Sequence, residues 1–266
     1  MSSHTDKGVQ SKRTYHYAIK AISDGSESSF SFRARTQPRV LGAPLVSVLA
    51  KDRIEVTWEK HPASDIVGYH LYRGIVSVAT VKKGVPQAWR DNDPEYDQPQ
   101  VVKVNDITRI ERLNAQPLTE TSFTDHIDLS RKPLNDEYAL GVYAYIVRSV
   151  NALGVESGPS PYALTLPSEP LNLFCREQGK TAELKWDSNR ESGLAGYHVY
   201  RLKGTWEIER ITKQPLRETS FREEAGTGVG RYWVVAVDVL GQEGQPSSPA
   251  WFNRSFKGFY EGDWHQ

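Results

Sequence analysis

The sequence has 266 residues, and its 33 Lys and Arg side chains are balanced by 33 Asp and Glu side chains. A formal net charge of +0 provides no global attraction to a polyanion, so we expect no nucleic-acid partner. No run approaches about 18 uninterrupted apolar residues, so we expect no membrane insertion. A chain of this length is expected to form about two domains.

The first predicted element is a β-hairpin. Tyr15 to Ser23 would pair with Phe30 to Thr36, and the segment contains only the last block of a pattern that appears in full further along the chain. Residues 1–38 are therefore expected to be a partial domain, the closing hairpin only. The chain is then expected to be the C-terminal fragment of a longer protein.

Two complete copies of one unit follow, predicted at residues 39–167 and 168–250. Trp58 and the motif from Gly68 to Arg73 return as Trp186 and the motif from Gly196 to Arg201. Apolar residues alternate with a period of two, and turn residues separate the blocks, which is typical of short antiparallel strands. Units of this size with such strands favour β-sandwiches with the two Trp side chains in their cores.

An insertion at about residues 75–106 distinguishes the first copy from the second. Two β-prone runs flank an acidic, aromatic tip, which predicts an extra hairpin at a sheet edge. Carboxylates alternate there as in a calcium loop, but Tyr96 and Val102 replace the Gly and Glu that such a loop requires. We expect a solvated acidic loop; calcium binding, or partner contact through Trp89 and Tyr96, remains an alternative.

Residues 251–266 form an aromatic C-terminal tail, which is costly to leave in water. We expect it to pack along its own domain or in the groove between domains. An exposed ligand surface, with Trp264 as a possible partner contact, is the alternative.

No residue pattern predicts a catalytic site, a metal site or a cofactor. By alternation, His70 and His198 point away from the apolar residues beside them, so we expect both to be exposed to solvent. The Gly-rich stretch 226–230 lacks phosphate-loop spacing and is expected to be a turn. Cys175, the single cysteine, is expected in a first strand from Leu171 to Cys175, as a small hydrophobic residue in or near the core.

The ordered motifs resemble fibronectin type III domains, particularly the bacterial variety. They are Trp on the second strand, Gly-Tyr-x-x-Tyr-Arg on the third, Thr-Ser-Phe before the fifth, and the late block that begins at Tyr143. The resemblance implies an all-β fold of tandem immunoglobulin-like, seven-stranded antiparallel sandwiches. It also implies a tyrosine corner, which Tyr15 and Tyr143 fit and which Gly230 interrupts in the last copy.

The resemblance further implies a non-catalytic interaction or spacer module of a larger, extracytoplasmic protein, with an extracellular or cell-surface location. One alternative is a set of accessory domains that follow an absent glycoside hydrolase or protease. Another is carbohydrate binding through exposed aromatic side chains. We expect a protein or carbohydrate partner, and a monomer for this fragment.

Overall fold

The structure is a computed structural model that describes residues 3–79, 103–104, 107–130, 139–203, 207–226 and 228–253. Every regular element in these ranges is a β-strand, and all strand pairs are antiparallel. None of the described residues forms a helix that is long and apolar enough to cross a membrane. The predicted all-β fold class is confirmed.

The N-terminal segment forms the predicted hairpin. Its inner strands close around Asp24 and Gly25, which have φ angles of 47° and 78°. Two successive residues with positive φ form the tight turn that matches the twist of a two-residue hairpin loop. The strands are β1 (His16–Tyr17), β2 (Ile22–Ser23), β3 (Ser26–Glu27) and β4 (Ala34–Arg35), with β1 paired to β4 and β2 paired to β3.

The first sandwich has two facing sheets. One contains β5 (Leu45–Ala50), β6 (Arg53–Thr57) and β10 (Ser122–Asp125) in the order β5-β6-β10. The other has β7 (Ile66–Ala79) at its centre, flanked by β11 (Ala139–Asn151) and then β12 (Ala163–Leu164). Its opposite edge is formed by β8 (Lys103–Val104) and β9 (Thr108–Arg112), which both pair with β7.

The second sandwich repeats this arrangement. The smaller sheet contains β13 (Phe174–Gln178), β14 (Thr181–Lys185) and β17 (Ser220–Glu224), and Asn172, with a φ of 55°, precedes it. Because this positive φ interrupts extended backbone, the first strand begins three residues later than predicted. The larger sheet contains β15 (Leu194–Lys203), β16 (Glu207–Arg210), β18 (Gly230–Asp238), β19 (Glu243–Pro246) and β20 (Ala250–Phe252).

Each sandwich thus has seven strand positions, with β8 added in the first and the last position divided into β19 and β20 in the second. The two predicted Trp residues lie in equivalent cores, with Trp58 at 7% exposure and Trp186 at 4%. Each ring meets a Tyr edge to face, at centroid distances of 5.6 Å to Tyr69 and 5.5 Å to Tyr197. The tandem seven-stranded sandwiches are therefore confirmed.

The insertion leaves the sheet as a continuation of β7, which is longer than its equivalent β15. Val78 pairs with Val104 and Ala79 with Lys103, so the described ends of the two β-prone runs are hydrogen-bonded neighbours. The other side of β7 pairs with β11 as far as Ala79 and Ala139. The boundaries of the insertion and of the four segments stay predictions.

Candidate functional site: the junctions between the sandwiches

The repeated Gly-Tyr-His-x-Tyr-Arg motif divides its side chains between the two faces of one strand. Its glycines lie against the loops that precede β10 in the first sandwich and β17 in the second. A Cβ at Gly68 would stand 2.6 Å from the Leu118 carbonyl oxygen, and one at Gly196 would stand 2.3 Å from the Leu216 carbonyl oxygen. No side chain fits there. The first Tyr faces the core, and the His and the second Tyr face the opposite side.

His70 is buried, at 7% exposure, so the expected solvent exposure is wrong. Alternation placed it correctly on the face opposite Tyr69, but a turn after β11 covers that face. His70 Nδ1 lies 2.6 Å from Glu156 Oε1, and the Tyr72 hydroxyl donates to the same carboxylate at 3.0 and 3.1 Å. The His therefore belongs to a local polar cluster within the fold.

The Glu156 carboxylate is kept ionised by this cluster. Burial raises its pKa, but the hydrogen bonds from His70 and Tyr72 and the charge of Arg148, 3.5 Å away, together hold the pKa below its usual value. Because Glu156 lies on the turn between β11 and β12, its contacts attach that turn to β7. The same turn also contacts the N-terminal segment.

His198 is also buried, at 4% exposure, and this second expectation of exposure is likewise wrong. Its Nδ1 lies 2.9 Å from the Thr212 hydroxyl, and burial followed by the charge of Arg210 lowers its pKa. Tyr200 donates to Glu243 at 2.7 Å, as Tyr72 does to Glu156. The cluster is thus repeated, with Thr212 in place of the carboxylate as the partner of the His.

The Arg that ends the motif joins the two sheets of each sandwich. Arg73 donates to Asp125 on β10 at 2.6 Å, and the buried Tyr145 hydroxyl donates to the same oxygen at 2.7 Å. Arg201 pairs with Glu223 on β17 in the same way. The tyrosine that bonds across the two sheets of the first sandwich is therefore Tyr145, and the tyrosine corner expected at Tyr143 stays a prediction.

Two observations concern the implied tyrosine corner. The Tyr15 hydroxyl accepts a hydrogen bond from the Gln10 backbone N–H at 2.9 Å, a short-range backbone contact of the kind that such a corner makes. In the second sandwich, Tyr232 occupies the position of Tyr145 and is fully buried. Gly230 thus leaves the corner position of the last copy without a tyrosine, while the buried tyrosine two residues later is retained.

The first junction joins the N-terminal hairpin to the turn after β11. Asn151 accepts from the N–H groups of Leu153 and Val155, at 3.1 and 2.9 Å, which shapes the turn. Its side-chain N–H donates outward to the Thr36 carbonyl at 2.9 Å. The Lys12 N–H also donates to the Leu153 carbonyl, at 2.8 Å. The N-terminal segment thus contacts the first sandwich through its own backbone groups, the Thr36 carbonyl and the Lys12 N–H.

The second junction brings backbone against backbone. A Cβ at Gly193 would stand 2.3 Å from the Val48 carbonyl oxygen, and one at Gly244 would stand 2.1 Å from the Pro167 carbonyl oxygen. The Ser192 N–H donates to the Ser47 hydroxyl at 3.0 Å. Because both glycines lie against the preceding sandwich or its linker, the two sandwiches meet at a spacing that admits no side chain at these points.

Asp238 occupies the position of Asn151 at this second junction. It is 2% exposed and lines a small cavity with Val46, Val48 and Leu166 of the first sandwich. Burial raises its pKa, although it accepts hydrogen bonds from Gln242 and Leu240. A carboxylate thus takes the place of the amide that donates across the first junction.

Cys175 is partly buried against the core of the second sandwich, as predicted for a small hydrophobic residue. Burial raises the pKa of its thiol to about 11, so little thiolate forms near neutral pH. The described part of the 226–230 stretch joins β17 to β18, with Gly226 at a φ of 73°.

The three predicted partner contacts, Trp89, Tyr96 and Trp264, lie outside the described residues, as do Asp91 to Asp97. Within the described ranges, no three His, Cys, Asp or Glu side chains are grouped so as to hold a metal ion. Partner contact, calcium binding and the role of the tail stay predictions.

Sequence reasoning missed the residues that set the junctions. Gly193 lies in the bend before β15 and Gly244 lies in β19, and at both positions only the neighbouring unit shows why a side chain is excluded. Asn151 could have been found, because an Asn followed by Gly three residues later is a turn signal. Its contact with Thr36 depends on the arrangement of the two units.

No protein-family model matches the sequence, and no curated protein matches it significantly. Among solved structures, the chain is similar to a two-domain fibronectin type III segment from chicken tenascin, at 14% identity and a TM-score of 0.29 over 80% of this chain and 98% of that one. It is also similar to the FN1-FN3 domains of chicken CNTN1, at 16% identity and a TM-score of 0.30 over 90% of this chain and 76% of that one.

A third similar structure is an Fn3-like protein from Clostridium thermocellum, at 25% identity and a TM-score of 0.26. That match covers 32% of this chain and 86% of the other. The TM-scores are low, so the fold assignment rests on the strand order, pairing and core residues of this chain.

Proposed function

We propose that this chain is a non-catalytic interaction and spacer module of a larger, extracytoplasmic protein. Its mechanism is rigid presentation: successive sandwiches are held at a restricted angle, so that surfaces on one are displayed in a constant orientation to the next. The observation that carries the proposal is the second junction, where Gly193 and Gly244 allow direct backbone contact.

Three physical features support a restricted junction. The linker contains Pro167, whose ring fixes φ and limits the freedom of the chain. The Pro167 carbonyl accepts from the Gln245 N–H at 3.2 Å, and this bond attaches the linker to the second sandwich. Ser47 and Ser192 add a hydrogen bond directly between the sandwiches, at 3.0 Å.

A distance measurement between the sandwiches tests the proposal. In a chain with Cys175→Ser, spin labels are attached at Lys51→Cys and Glu218→Cys, two exposed positions on different sandwiches. A restricted junction gives one narrow distance distribution by pulsed electron paramagnetic resonance. Pro167→Gly should broaden it, because the linker gains backbone freedom and loses its fixed φ.

Pro161→Gly is the matched control, since Pro161 is exposed and precedes β12 within the first sandwich. This control should leave the distribution narrow. A broad distribution in the chain that retains Pro167 would contradict rigid presentation. It would leave an interaction role without a fixed geometry.

A further inference from the structure

The N-terminal hairpin has the hydrogen-bond register of the closing hairpin in each complete sandwich. The Ser31 N–H donates to the Ile19 carbonyl at 2.9 Å, while the Ser31 hydroxyl accepts from the Ile19 N–H at 3.0 Å. The Ser31 hydroxyl thus accepts the hydrogen bond that the Ser31 backbone carbonyl would accept in a regular antiparallel strand pair. The same pair of bonds joins Ser160 to Val147 in the first sandwich and Ser247 to Val234 in the second.

The match extends along the whole hairpin. Thr36 bonds Tyr15 through both its N–H and its hydroxyl, as Thr165 bonds Tyr143. Near the turn, the Lys20 ammonium lies 2.8 Å from Glu27, in the positions that Arg148 and Glu156 occupy in the first sandwich. Backbone and side-chain bonds therefore place the two hairpins in one register, apart from a single residue omitted in the turn.

This register identifies a core face on the N-terminal hairpin. Tyr17 and Ile19 occupy the positions of Tyr145 and Val147, which are both 0% exposed in the first sandwich. Ile19 is 75% exposed, and Ala21 and Ala34 on the same face are also exposed. Apolar side chains at core positions thus face solvent here, which is unfavourable compared with burial.

We propose that this face packs against a three-stranded antiparallel sheet with an apolar inner face, equivalent to β5-β6-β10. That sheet belongs to a polypeptide outside residues 1–266, which also supplies an edge strand equivalent to β7, and the hairpin supplies the last two strands of the sandwich that results. Ile19 and Tyr17 would then fill its core as Val147 and Tyr145 fill the first.

The area of the face argues against a second copy of this chain as the occupant. Tyr17 is already partly buried and two of the other three side chains are alanines, so two facing hairpins would bury less than the roughly 1,200 Å² of a specific interface. A sandwich partner also supplies an edge strand. In the first sandwich, β11 pairs with β7 over its whole length, and the matching edge belongs to β1 and β2.

The chain's own first sandwich provides a probe of known structure. In a full-length chimera, residues 15–36 replace residues 143–165, so that the N-terminal hairpin must pack against β5-β6-β10. If it is a core strand pair, amide hydrogens in β5 and β6 should exchange within about 100-fold of their rates in the unmodified chain. The matched control is the same chimera with Ile19→Asp in the transplanted copy.

The control should lose this protection, because a carboxylate replaces a core methyl group. If the chimera exchanges as fast as the control, the hairpin cannot serve as a core strand pair, and the proposal is wrong. Sedimentation of the unmodified chain supplies a second measurement, with a monomer expected. A dimer that Ile19→Asp dissociates would show that a second copy covers the face, and it would overturn the assignment of the occupant.

Discussion

Gly193→Ala should open the second junction while leaving each sandwich folded. The glycine has a φ of 74°, and a Cβ there would stand 2.3 Å from the Val48 carbonyl oxygen. Non-bonded carbon contacts are optimal at about 3.5–4.0 Å, so the sandwiches must separate by more than about 1 Å at this point. The Ser192 to Ser47 hydrogen bond would lengthen with them.

The same change also strains the loop that contains Gly193, independently of the junction. A left-handed φ costs a residue with a Cβ about 1–2 kcal/mol, and this cost falls on the second sandwich. Gly179→Ala isolates it, because Gly179 has a φ of 61° but has nothing within 4 Å of the position of a Cβ. Both variants should therefore lower the stability of the second sandwich by a similar amount.

Small-angle scattering and thermal unfolding together separate the two effects. Gly193→Ala should increase the maximum dimension and change the scattering profile, whereas Gly179→Ala should scatter like the unmodified chain. Identical profiles for all three proteins would show that the approach of Gly193 to Val48 does not determine the arrangement of the sandwiches. The account of the junction would then be wrong.

Four further outcomes are expected. Trp58→Ala or Trp186→Ala should each cost its own sandwich about 3–5 kcal/mol in chemical denaturation, because a large core side chain leaves a cavity; a cost below about 1 kcal/mol would contradict their core role. Glu156→Gln should weaken the first sandwich at neutral pH, because the pKa of Glu156 is lowered in the folded state. The stability that the carboxylate contributes is present above pH 4.5, its unfolded pKa, and is lost as pH falls through the folded pKa. Equal stability of the two proteins at pH 7 would refute this. Asp238→Asn should stabilise the second sandwich at neutral pH, because burial disfavours the charged carboxylate and raises its pKa. The gain in stability should shrink as pH falls towards 3.8, the unfolded pKa. Destabilisation at pH 7 would show that the hydrogen bonds of Asp238 outweigh the cost of its burial. Cys175 should react slowly with an alkylating agent at pH 8 and faster as pH approaches its pKa of about 11, so rapid labelling at pH 8 would contradict its burial.

The sequence alone determined the repeat, the strand class and the core tryptophans. Duplicated motifs place Trp58 and Trp186 at equivalent positions, and alternation identifies which side chains share a face of a strand. These features are local or internal to the chain, so they can be read without knowing how the sheets meet. The N-terminal hairpin was predictable for the same reason, with Asp24 and Gly25 as its turn.

Only the tertiary structure decided what covers each face and what crosses each junction. Alternation placed His70 opposite the core correctly, but the turn that carries Glu156 covers it from 86 residues away in sequence. The Tyr145 hydroxyl donates to Asp125 on the facing sheet, a contact that no residue pattern in the sequence indicates. The Val48 carbonyl oxygen of the other sandwich leaves no room for a side chain at Gly193. Such contacts depend on the relative placement of distant segments, which local residue patterns do not encode.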